Sequence, residues 1–374
     1  MAKVSEQPEA RAQISALNDV HRRLGATMIE SNGWLLPAHY GDAKAEYAAV
    51  RDGGAGLIDL SARGRMLVNG SEAVSFLNGL ITNDMNTLAE SRWMPAAFPN
   101  VQGRLLAAVR VVHGDDGFLL DTESITHETV LKLIERFTLA GDFRVTDLTD
   151  NTALLSIQGG KAAEIVCALF GETLANSGRY AVTTVDVQDK QLSIIRATHT
   201  GEDGFDLFCR KSDAAALWAS LTQAGARPFG VEALETLRIE AGIARYGIDM
   251  NEANVVTETN LDAAVSFTKG CYLGQEIIAR IKYRGHVAKK LTGLIFEREA
   301  NLESGAKVLS VEEKEIGRVT SFAFSPRLER TIALGYVKYD YLAPGTVVKV
   351  ISPEKEFRAA VAELPFVRGS WCSD

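Results

Sequence analysis

Two stretches of this chain repeat the same order of elements, and this repeat limits the folds that the chain can adopt. The stretches are RGRMLVNGSEAVSFL at residues 63–77 and TALLSIQGGKAAEIV at residues 152–166. Each has a strand-like run, a glycine turn and a helix with apolar residues on one face. Further strand-like runs and a second helix follow each of them. The pattern therefore predicts two related α+β units.

The ends of the chain differ from these units. Apolar spacing predicts a helix over residues 9–31 and a short helix over 43–51. From about residue 287, short β-rich runs are broken by glycine and proline, which is typical of a small antiparallel β-barrel or sandwich. We therefore expect an α+β protein with lobes at 1–150 and 151–228, a segment at 229–286 that partly joins the first lobe, and a barrel at 287–374.

The amino-acid composition limits which cellular compartment and which binding partners we expect for this protein. The formal charge of −8 argues against nucleic-acid binding, and no apolar run approaches the length of about 18 residues that spans a bilayer. The acidic N-terminus does not resemble a targeting leader. Four widely separated cysteines form no C-x-x-C pair, so neither a structural zinc site nor a thioredoxin-like dithiol is expected, and no metal-binding residue is assigned. We expect a cytoplasmic protein without membrane or nucleic-acid partners.

The octapeptide Lys269–Glu276, KGCYLGQE, is the segment most suggestive of chemistry. Cys271 lies between Gly270 and Gly274, where the backbone is open to close approach by a ligand. A nearby ammonium, here that of Lys269, stabilises a thiolate and makes the sulfur more reactive. Cys271 and Lys269 are therefore the candidate catalytic residues. The alternative is a glycine turn with a buried, inert cysteine.

Three other segments are rich in polar residues and remain ambiguous. Residues 199–204, HTGEDG, form either a hairpin turn or part of a site that includes Glu202. Residues 242–262 form either a solvated loop or a loop that folds over a cleft. In the second case a carboxylate of the loop would accept two hydrogen bonds from the amidine-like edge of a ligand. Residues 280–290 are strongly basic, and as a strand they would have one cationic face. That face would be either a solvated edge or a groove for anions.

The segments at 56–84, 199–208 and 234–250, together with the octapeptide, resemble one superfamily. It is the folate-binding group that contains the glycine-cleavage T-protein, an aminomethyltransferase, and the YgfZ-type proteins of iron–sulfur enzyme maintenance. The octapeptide is similar to the mark of the YgfZ-type branch. The resemblance implies a three-lobed T-protein-like fold, with two related α+β lobes and a C-terminal antiparallel barrel around a central opening. That opening is expected to hold tetrahydrofolate or a one-carbon derivative of it.

The resemblance also assigns roles to individual residues. Glu258 occupies the place of the carboxylate that grips the pterin, whose paired donor edge a carboxylate matches. Tyr246 occupies the place of a pterin-contacting tyrosine. Arg280, Lys282 and Arg284 are expected to meet the glutamate tail of the folate.

One departure from the T-protein limits the expected chemistry. The T-protein uses an aspartate beside the folate, and the similar segment here has Ala107 and Ala108 at that place. An alanine cannot stabilise charge, and losing such a group costs orders of magnitude in rate. The resemblance therefore implies a protein that binds folate without T-protein-type transferase activity.

The resemblance implies support of iron–sulfur enzyme assembly or repair, with Cys271 as the reactive thiol and client or assembly proteins as partners. The alternative function is that of a folate-dependent aminomethyltransferase or demethylase, with a catalytic group such as Asp249 or Glu202. A third possibility is an interaction protein that docks acidic clients through the basic segment.

Overall fold

A hairpin sheet opens the fold of this protein, whose structure, a computed structural model, describes residues 12–137, 141–174, 177–187, 190–353 and 355–372. The first elements are β1 (Gln13–Ile14), α1 (Asn18–Arg23), β2 (Thr27–Ser31) and β3 (Trp34–His39). The prediction of one helix over 9–31 was wrong, and its residues 9–11 lie outside the described part. Asn32 and Gly33 have φ values of 49° and 77°, which is the backbone of a tight hairpin turn between β2 and β3.

The first lobe is built on a five-stranded sheet in the order β6-β7-β8-β5-β9. Before it come α2 (Ala43–Arg51), which confirms the predicted helix, and β4 (Gly56–Asp59). The strands of the lobe are β5 (Gly64–Asn69), β6 (Arg92–Pro99), β7 (Leu105–Gly114), β8 (Gly117–Thr122) and β9 (Arg144–Asp147). Its helices are α3 (Ala73–Leu80) and α4 (Ser124–Glu135), which bury one face of the sheet.

The second lobe has a six-stranded sheet in the order β11-β12-β13-β10-β4-β14. Its own strands are β10 (Thr152–Gln158), β11 (Val182–Val187), β12 (Lys190–Arg196), β13 (Gly204–Arg210) and β14 (Arg227–Pro228), and its helices are α5 (Ala162–Phe170) and α6 (Ala214–Gln223). In both lobes a strand and a helix precede a three-stranded meander and a second helix. The last meander strand pairs antiparallel with the first strand in each. This shared topology confirms the prediction of two related α+β lobes.

The sheets of the two lobes pack against each other. Trp93 and Val112 of the first sheet contact Leu154, Ile195 and Phe208 of the second in one buried cluster. The second sheet also contains β4, which precedes the first lobe in the chain. The two lobes therefore share an interface, and the residue types at its edge decide what site forms there.

Two helices and a polar connection link the lobes to the barrel. They are α7 (Val231–Glu240), the mostly irregular segment 241–274 and α8 (Gln275–Arg284). The idea of a basic strand beginning at residue 280 was wrong, because residues 275–284 form a helix. Ile278 is buried on its inner side, while the charged residues lie on the outer side. Alternating positions in a helix do not share one face, so the expected cationic strand face does not form.

Six strands close the C-terminal barrel, and this confirms the predicted antiparallel barrel. They are β15 (Lys289–Phe296), β16 (Lys307–Leu309), β17 (Glu315–Ser325), β18 (Arg330–Lys338), β19 (Val347–Ile351) and β20 (Glu356–Ala362). Closure between β15 and β20 leaves no sheet edge unpaired. Across the described ranges, no helix is both long and apolar enough to cross a membrane.

Candidate functional site

A central pocket of about 380 Å³ lies where the N-terminal hairpin, both lobes and α7 meet. Its volume falls within the usual range for small-molecule sites. The first lobe contributes Leu60, Arg63 and Glu123, the second contributes His199, and α7 contributes Glu235. The walls thus combine apolar surface with charges of both signs.

A buried chain of ion pairs joins the two lobes behind this pocket. Arg110 on β7 donates from Nε to Asp121 Oδ2 at 2.6 Å and from Nη1 to Asp206 Oδ2 at 2.5 Å. Asp121 lies on β8 and Asp206 on β13, and both side chains have 0% exposure. Arg63 also donates to Asp121, at 2.9 Å, and pairs with Glu123 at the pocket wall. Arg110 therefore connects one carboxylate from each lobe.

The electrostatic interactions among these ion pairs keep both aspartates charged. Burial alone raises the pKa of Asp121, but Arg110 and Arg63 outweigh it and hold that pKa below its usual range. Burial likewise raises the pKa of Asp206, and His199 and Arg110 together bring it well below the usual range. The same carboxylates raise the pKa of Arg110 despite its burial. These groups are fixed charges at neutral pH.

His199 lies between these buried ion pairs and the pocket. Its Nε2 is 2.9 Å from Asp206 Oδ2 and 3.1 Å from Oδ1, and its side chain is 18% exposed. Its backbone N–H donates to Gln158 Oε1 at 2.9 Å, which fixes the loop that carries it. The second ring nitrogen, Nδ1, has no hydrogen-bond partner among the described residues. The pocket therefore contains an oriented imidazole.

Most other charged groups of the pocket are paired with each other. Arg238 donates to Glu235 Oε2 from Nε at 2.9 Å and from Nη2 at 2.6 Å, and Arg245 pairs with Glu235 Oε1. Asp59, at the inner end, contacts His21 Nε2 at 3.1 Å and accepts from the backbone of Ser61. These pairs give the pocket rigid polar walls.

The structure places the predicted folate residues beside the start of β7. The Tyr246 hydroxyl donates to the Leu105 carbonyl at 3.2 Å, and burial raises the pKa of this tyrosine to about 12. Glu258 is buried and accepts from the Val255 backbone at 3.3 Å and from Asn254 Nδ2 at 3.5 Å. Neither side chain is among those that line the central pocket. Their pterin-binding roles stay predictions.

Lys269 has a structural role that the sequence did not indicate. Its Nζ donates to the carbonyls of Asn78, Ile81 and Asn83 at 2.7, 2.9 and 2.6 Å. These carbonyls lie at and just after the C-terminus of α3, where the helix dipole favours a cation. The ammonium is thus committed to capping a helix. Its predicted effect on the Cys271 thiol stays a prediction.

Cys271 is a free, exposed cysteine on the loop before α8. Gly274 nearby has φ 77°, and a Cβ there would lie 2.3 Å from the Asn100 carbonyl oxygen. A Cβ at Gly270 would meet nothing within 4 Å. Gly274 therefore allows the loop to pack against the β6–β7 turn, rather than giving a ligand access to Cys271. The alternative of a buried, inert cysteine is wrong, because the thiol is exposed.

The remaining residues predicted for the site either lie apart from the pocket or have carboxylates that are already engaged in hydrogen bonds. Arg280, Lys282 and Arg284 are exposed on α8. Glu202 pairs with Arg51 at 2.5 Å and accepts from Ser370. Asp249 is buried and accepts four hydrogen bonds at 2.6–3.0 Å. Neither carboxylate has the open geometry that a catalytic group in the pocket needs.

The two alanines face different environments. Ala107 is fully buried in the core of the first lobe. Ala108 is half-buried and packs against the buried cluster that contains Tyr246, as does Ala244, which also lines the pocket. Because residues alternate between the two faces of a strand, Ala108 shares one face of β7 with Arg110, and Ala107 lies on the other.

Sequence reasoning missed Arg110, Asp121 and Asp206, and it named the segment of His199 without singling out this residue. The available signal was a charged residue inside an apolar strand, as in AAVRVV, FLLDT and GFDLF. Such residues are almost never buried unless they are paired. The sequence does not show that these residues lie together in the structure, because their proximity depends on how the two sheets pack.

Two family profiles match this chain, and together they cover both parts of the structure. The GCVT N-terminal domain matches residues 17–269, and the glycine cleavage T-protein C-terminal barrel domain matches residues 289–368. The chain belongs to the glycine cleavage T-protein family.

Similar proteins span nearly the whole length of this T-protein family member. It is 34% identical to an aminomethyltransferase of Rubrobacter xylanophilus, over 94% of this chain and 93% of the relative. It is 36% identical to one of Methylococcus capsulatus, over 95% and 97% of the two chains. The solved glycine cleavage system aminomethyltransferase T of Bartonella henselae is 25% identical and superimposes with a TM-score of 0.88, over 95% of this chain and 98% of that one.

These comparisons correct the functional prediction. The relatives of this T-protein family member are named aminomethyltransferase, so the predicted role in iron–sulfur enzyme assembly or repair was wrong. The findings support the T-protein family and not the YgfZ-type branch. That prediction depended on the octapeptide, in which Lys269 caps a helix. The alternative, an aminomethyltransferase-type function, has the better support.

Proposed function

We propose that this protein binds tetrahydrofolate, or a one-carbon derivative of it, in the central pocket and transfers an aminomethyl-type one-carbon unit from an amine donor to it. The observation that carries the proposal is the pocket itself, which lies between the two lobes of a T-protein family member and has charged walls. An aminomethyltransferase and a solved glycine cleavage system aminomethyltransferase match over 94% and 95% of this chain.

The residues of the pocket fit this ligand chemically. A reduced pterin presents paired N–H donors on one edge, and Glu123 and Glu235 are acceptors for such an edge. The glutamate tail of a folate carries carboxylates, and Arg63 and Arg245 are matching donors. Leu60 provides apolar surface for a ring. Tetrahydrofolate, when bound, supplies the nitrogens that accept the one-carbon unit.

The proposal includes a catalytic route that differs from that of the T-protein. With Ala107 and Ala108 at the place of the aspartate, we expect transfer by the aspartate-dependent route to be slow or absent. Asp249 and Glu202, the earlier candidates to replace the aspartate, are held by four and three hydrogen-bonded contacts and are not free to act. The proton-transfer group must then come from another side chain of the pocket.

Calorimetry with tetrahydrofolate tests binding, and release of ammonia from an S-aminomethyl thioether tests transfer. We expect the wild type to bind and to turn over slowly. Ala108→Asp restores a carboxylate at the half-buried position against the cluster that contains Tyr246, so we expect it to release ammonia at least tenfold faster. Ala108→Asn, of the same size but uncharged, is the control and should not. Absence of tetrahydrofolate binding by the folded wild type would contradict the proposal.

A further inference from the structure

We propose that His199, held by Asp206, is the proton-transfer residue of the central pocket. This inference rests on the proposed function, and it names the group that acts where the aspartate of the family is missing. It starts from a buried carboxylate and an imidazole that contact each other at the pocket wall.

The geometry fixes which ring nitrogen carries the proton. Asp206 lies within 3.1 Å of Nε2 through both of its oxygens, and a carboxylate can only accept. Arg110 holds the other side of Asp206 and keeps it charged. His199 therefore donates from Nε2–H in its neutral form, and the lone pair on Nδ1 is left open. A carboxylate that orients an imidazole in this way is the usual arrangement of a catalytic base.

The other titratable groups around the pocket are engaged. Those that face the same space and have partners are Arg63, Glu123, Asp59, Glu235, Arg238 and Arg245. Glu30 and Glu232 are exposed at the mouth. Among the described residues that line the inner pocket, Nδ1 of His199 is the basic atom without a partner. This singles out His199 rather than a carboxylate.

The proton balance of the reaction gives this atom a role. Transfer of the one-carbon unit from an S-aminomethyl thioether needs two displacements. In the first, the C–N bond of the donor and one N–H bond of the acceptor break, and a C–N bond to the acceptor and an N–H bond on the leaving ammonia form. In the second, the C–S bond of the donor and a second acceptor N–H bond break, and a second C–N bond and the S–H bond of the released thiol form. In the first displacement, His199 Nδ1 takes the proton from the acceptor nitrogen and returns it to the departing amine, so the imidazole ends neutral and no oxidant is needed. General acid–base catalysis of this kind contributes about 10²- to 10⁴-fold in rate.

Nitrogen NMR on the ligand-free protein tests the arrangement without any turnover. With His199 assigned by comparison with His199→Gln, we expect a protonated Nε2 and an unprotonated Nδ1 at a pH where the ring is neutral. Asp206→Asn should remove this preference. The reverse protonation pattern in the wild type would overturn the inference, whether or not tetrahydrofolate binds.

Kinetics with chemical rescue test the role itself. We expect His199→Ala to lower kcat for ammonia release by about 10²-fold or more, to leave the Kd for tetrahydrofolate within about threefold, and to regain activity with added imidazole. A structural role would not be rescued by imidazole. His127→Ala is the matched control, because His127 pairs with Asp147 at 2.8 Å outside the central pocket and its loss should not change kcat.

The possible results separate this inference from the proposed function. If the wild type binds tetrahydrofolate and releases ammonia while folded His199→Ala has kcat within threefold of it, the role of His199 fails and the proposed function stands. If the wild type does not bind tetrahydrofolate, both fail. Thermal unfolding of each variant shows whether it is folded, and His199→Gln replaces His199→Ala if the smaller side chain destabilises the loop.

Discussion

Lys269 has a role in the structure that its position in the sequence did not indicate. The sequence placed its ammonium beside a thiol, and the structure places it in three hydrogen bonds at the end of α3. Local sequence reveals which groups are close along the chain. It does not reveal that residues 78–83 need a donor, because this need arises only when the octapeptide packs against α3.

Replacement of Lys269 by methionine tests the capping role. The variant leaves three carbonyl groups without their donor, so we expect a loss of about 2–3 kcal/mol in the free energy of unfolding at pH 7. Burial lowers the pKa of Lys269 to about 8, whereas an unfolded lysine titrates near 10.4. Between these values the unfolded chain binds more protons, so the stability of the wild type rises relative to the variant as pH increases from 8 to about 10.

Urea unfolding of both proteins at pH 7 and pH 9.5 measures this difference. Lys282→Met is the control, since Lys282 is exposed on α8 and its loss should change the free energy of unfolding by less than about 0.5 kcal/mol. Equal stability of Lys269→Met and the wild type at pH 7 would show that the cap contributes nothing.

At the scale of elements, the sequence predicted most of the strands and helices of the two lobes. The strand over residues 152–158 and the helix over 43–51 were predicted within a residue. It failed at residues 27–31, predicted as part of a helix, where the strand β2 buries none of its residues fully and lacks the alternation that marks a half-buried strand. It also missed β6, whose two prolines are poor strand residues, although neighbouring residues pair fully with β7. Tertiary pairing decides such segments.

The ion pairs that join β7, β8 and β13 give a prediction at this scale. Arg110→Leu leaves Asp121 and Asp206 buried without their shared cation, so we expect a loss of about 3–5 kcal/mol in the free energy of unfolding. Arg144→Leu is the control, because Arg144 is exposed on the edge strand β9 and its loss should cost less than about 0.5 kcal/mol.

The carboxylates of Asp121 and Asp206 also determine how the stability of the protein changes in acid. Because their pKa values in the folded state lie below the usual range, the unfolded chain takes up protons first. The stability that they contribute is present above about pH 4 and is lost as pH falls further. The urea concentration at the midpoint of unfolding of the wild type should therefore decrease as the pH is lowered from 7 to 3. A wild type whose midpoint does not fall in this range would contradict the assignment.

At the scale of the whole molecule, a buried carboxylate fastens the barrel to the lobes. Asp249 accepts from Arg238 at 2.6 Å and from the backbone of Arg245 at 3.0 Å, and from Thr320 and Ser321 of β17 at 2.6 Å each. The sequence predicted the barrel and a polar connection before it. It could not predict this junction, because Thr320 and Ser321, the barrel partners of Asp249, are 71 and 72 residues further along the chain.

Asp249→Ala should therefore weaken the junction and lower the free energy of unfolding by about 3–5 kcal/mol, since it leaves Arg238 buried without this partner. Asp262→Ala is a matched control. The Asp262–Lys290 pair also links the connection to the barrel, but at 3.4 Å with Asp262 73% exposed, so its loss should cost under about 1 kcal/mol. Similar urea midpoints for the two variants would refute the difference between the junctions.

The mixed origin of the second sheet has a consequence for biosynthesis. β4 leaves the ribosome about 100 residues before β10, its antiparallel neighbour, and Arg110 emerges long before Asp206. A nascent first lobe thus holds an orphan strand and a guanidinium with only part of its counter-charge. The sheet of the first lobe can form from residues already made, but the ion pair between the lobes forms only once β13 has been made, and the second sheet is complete only after β14.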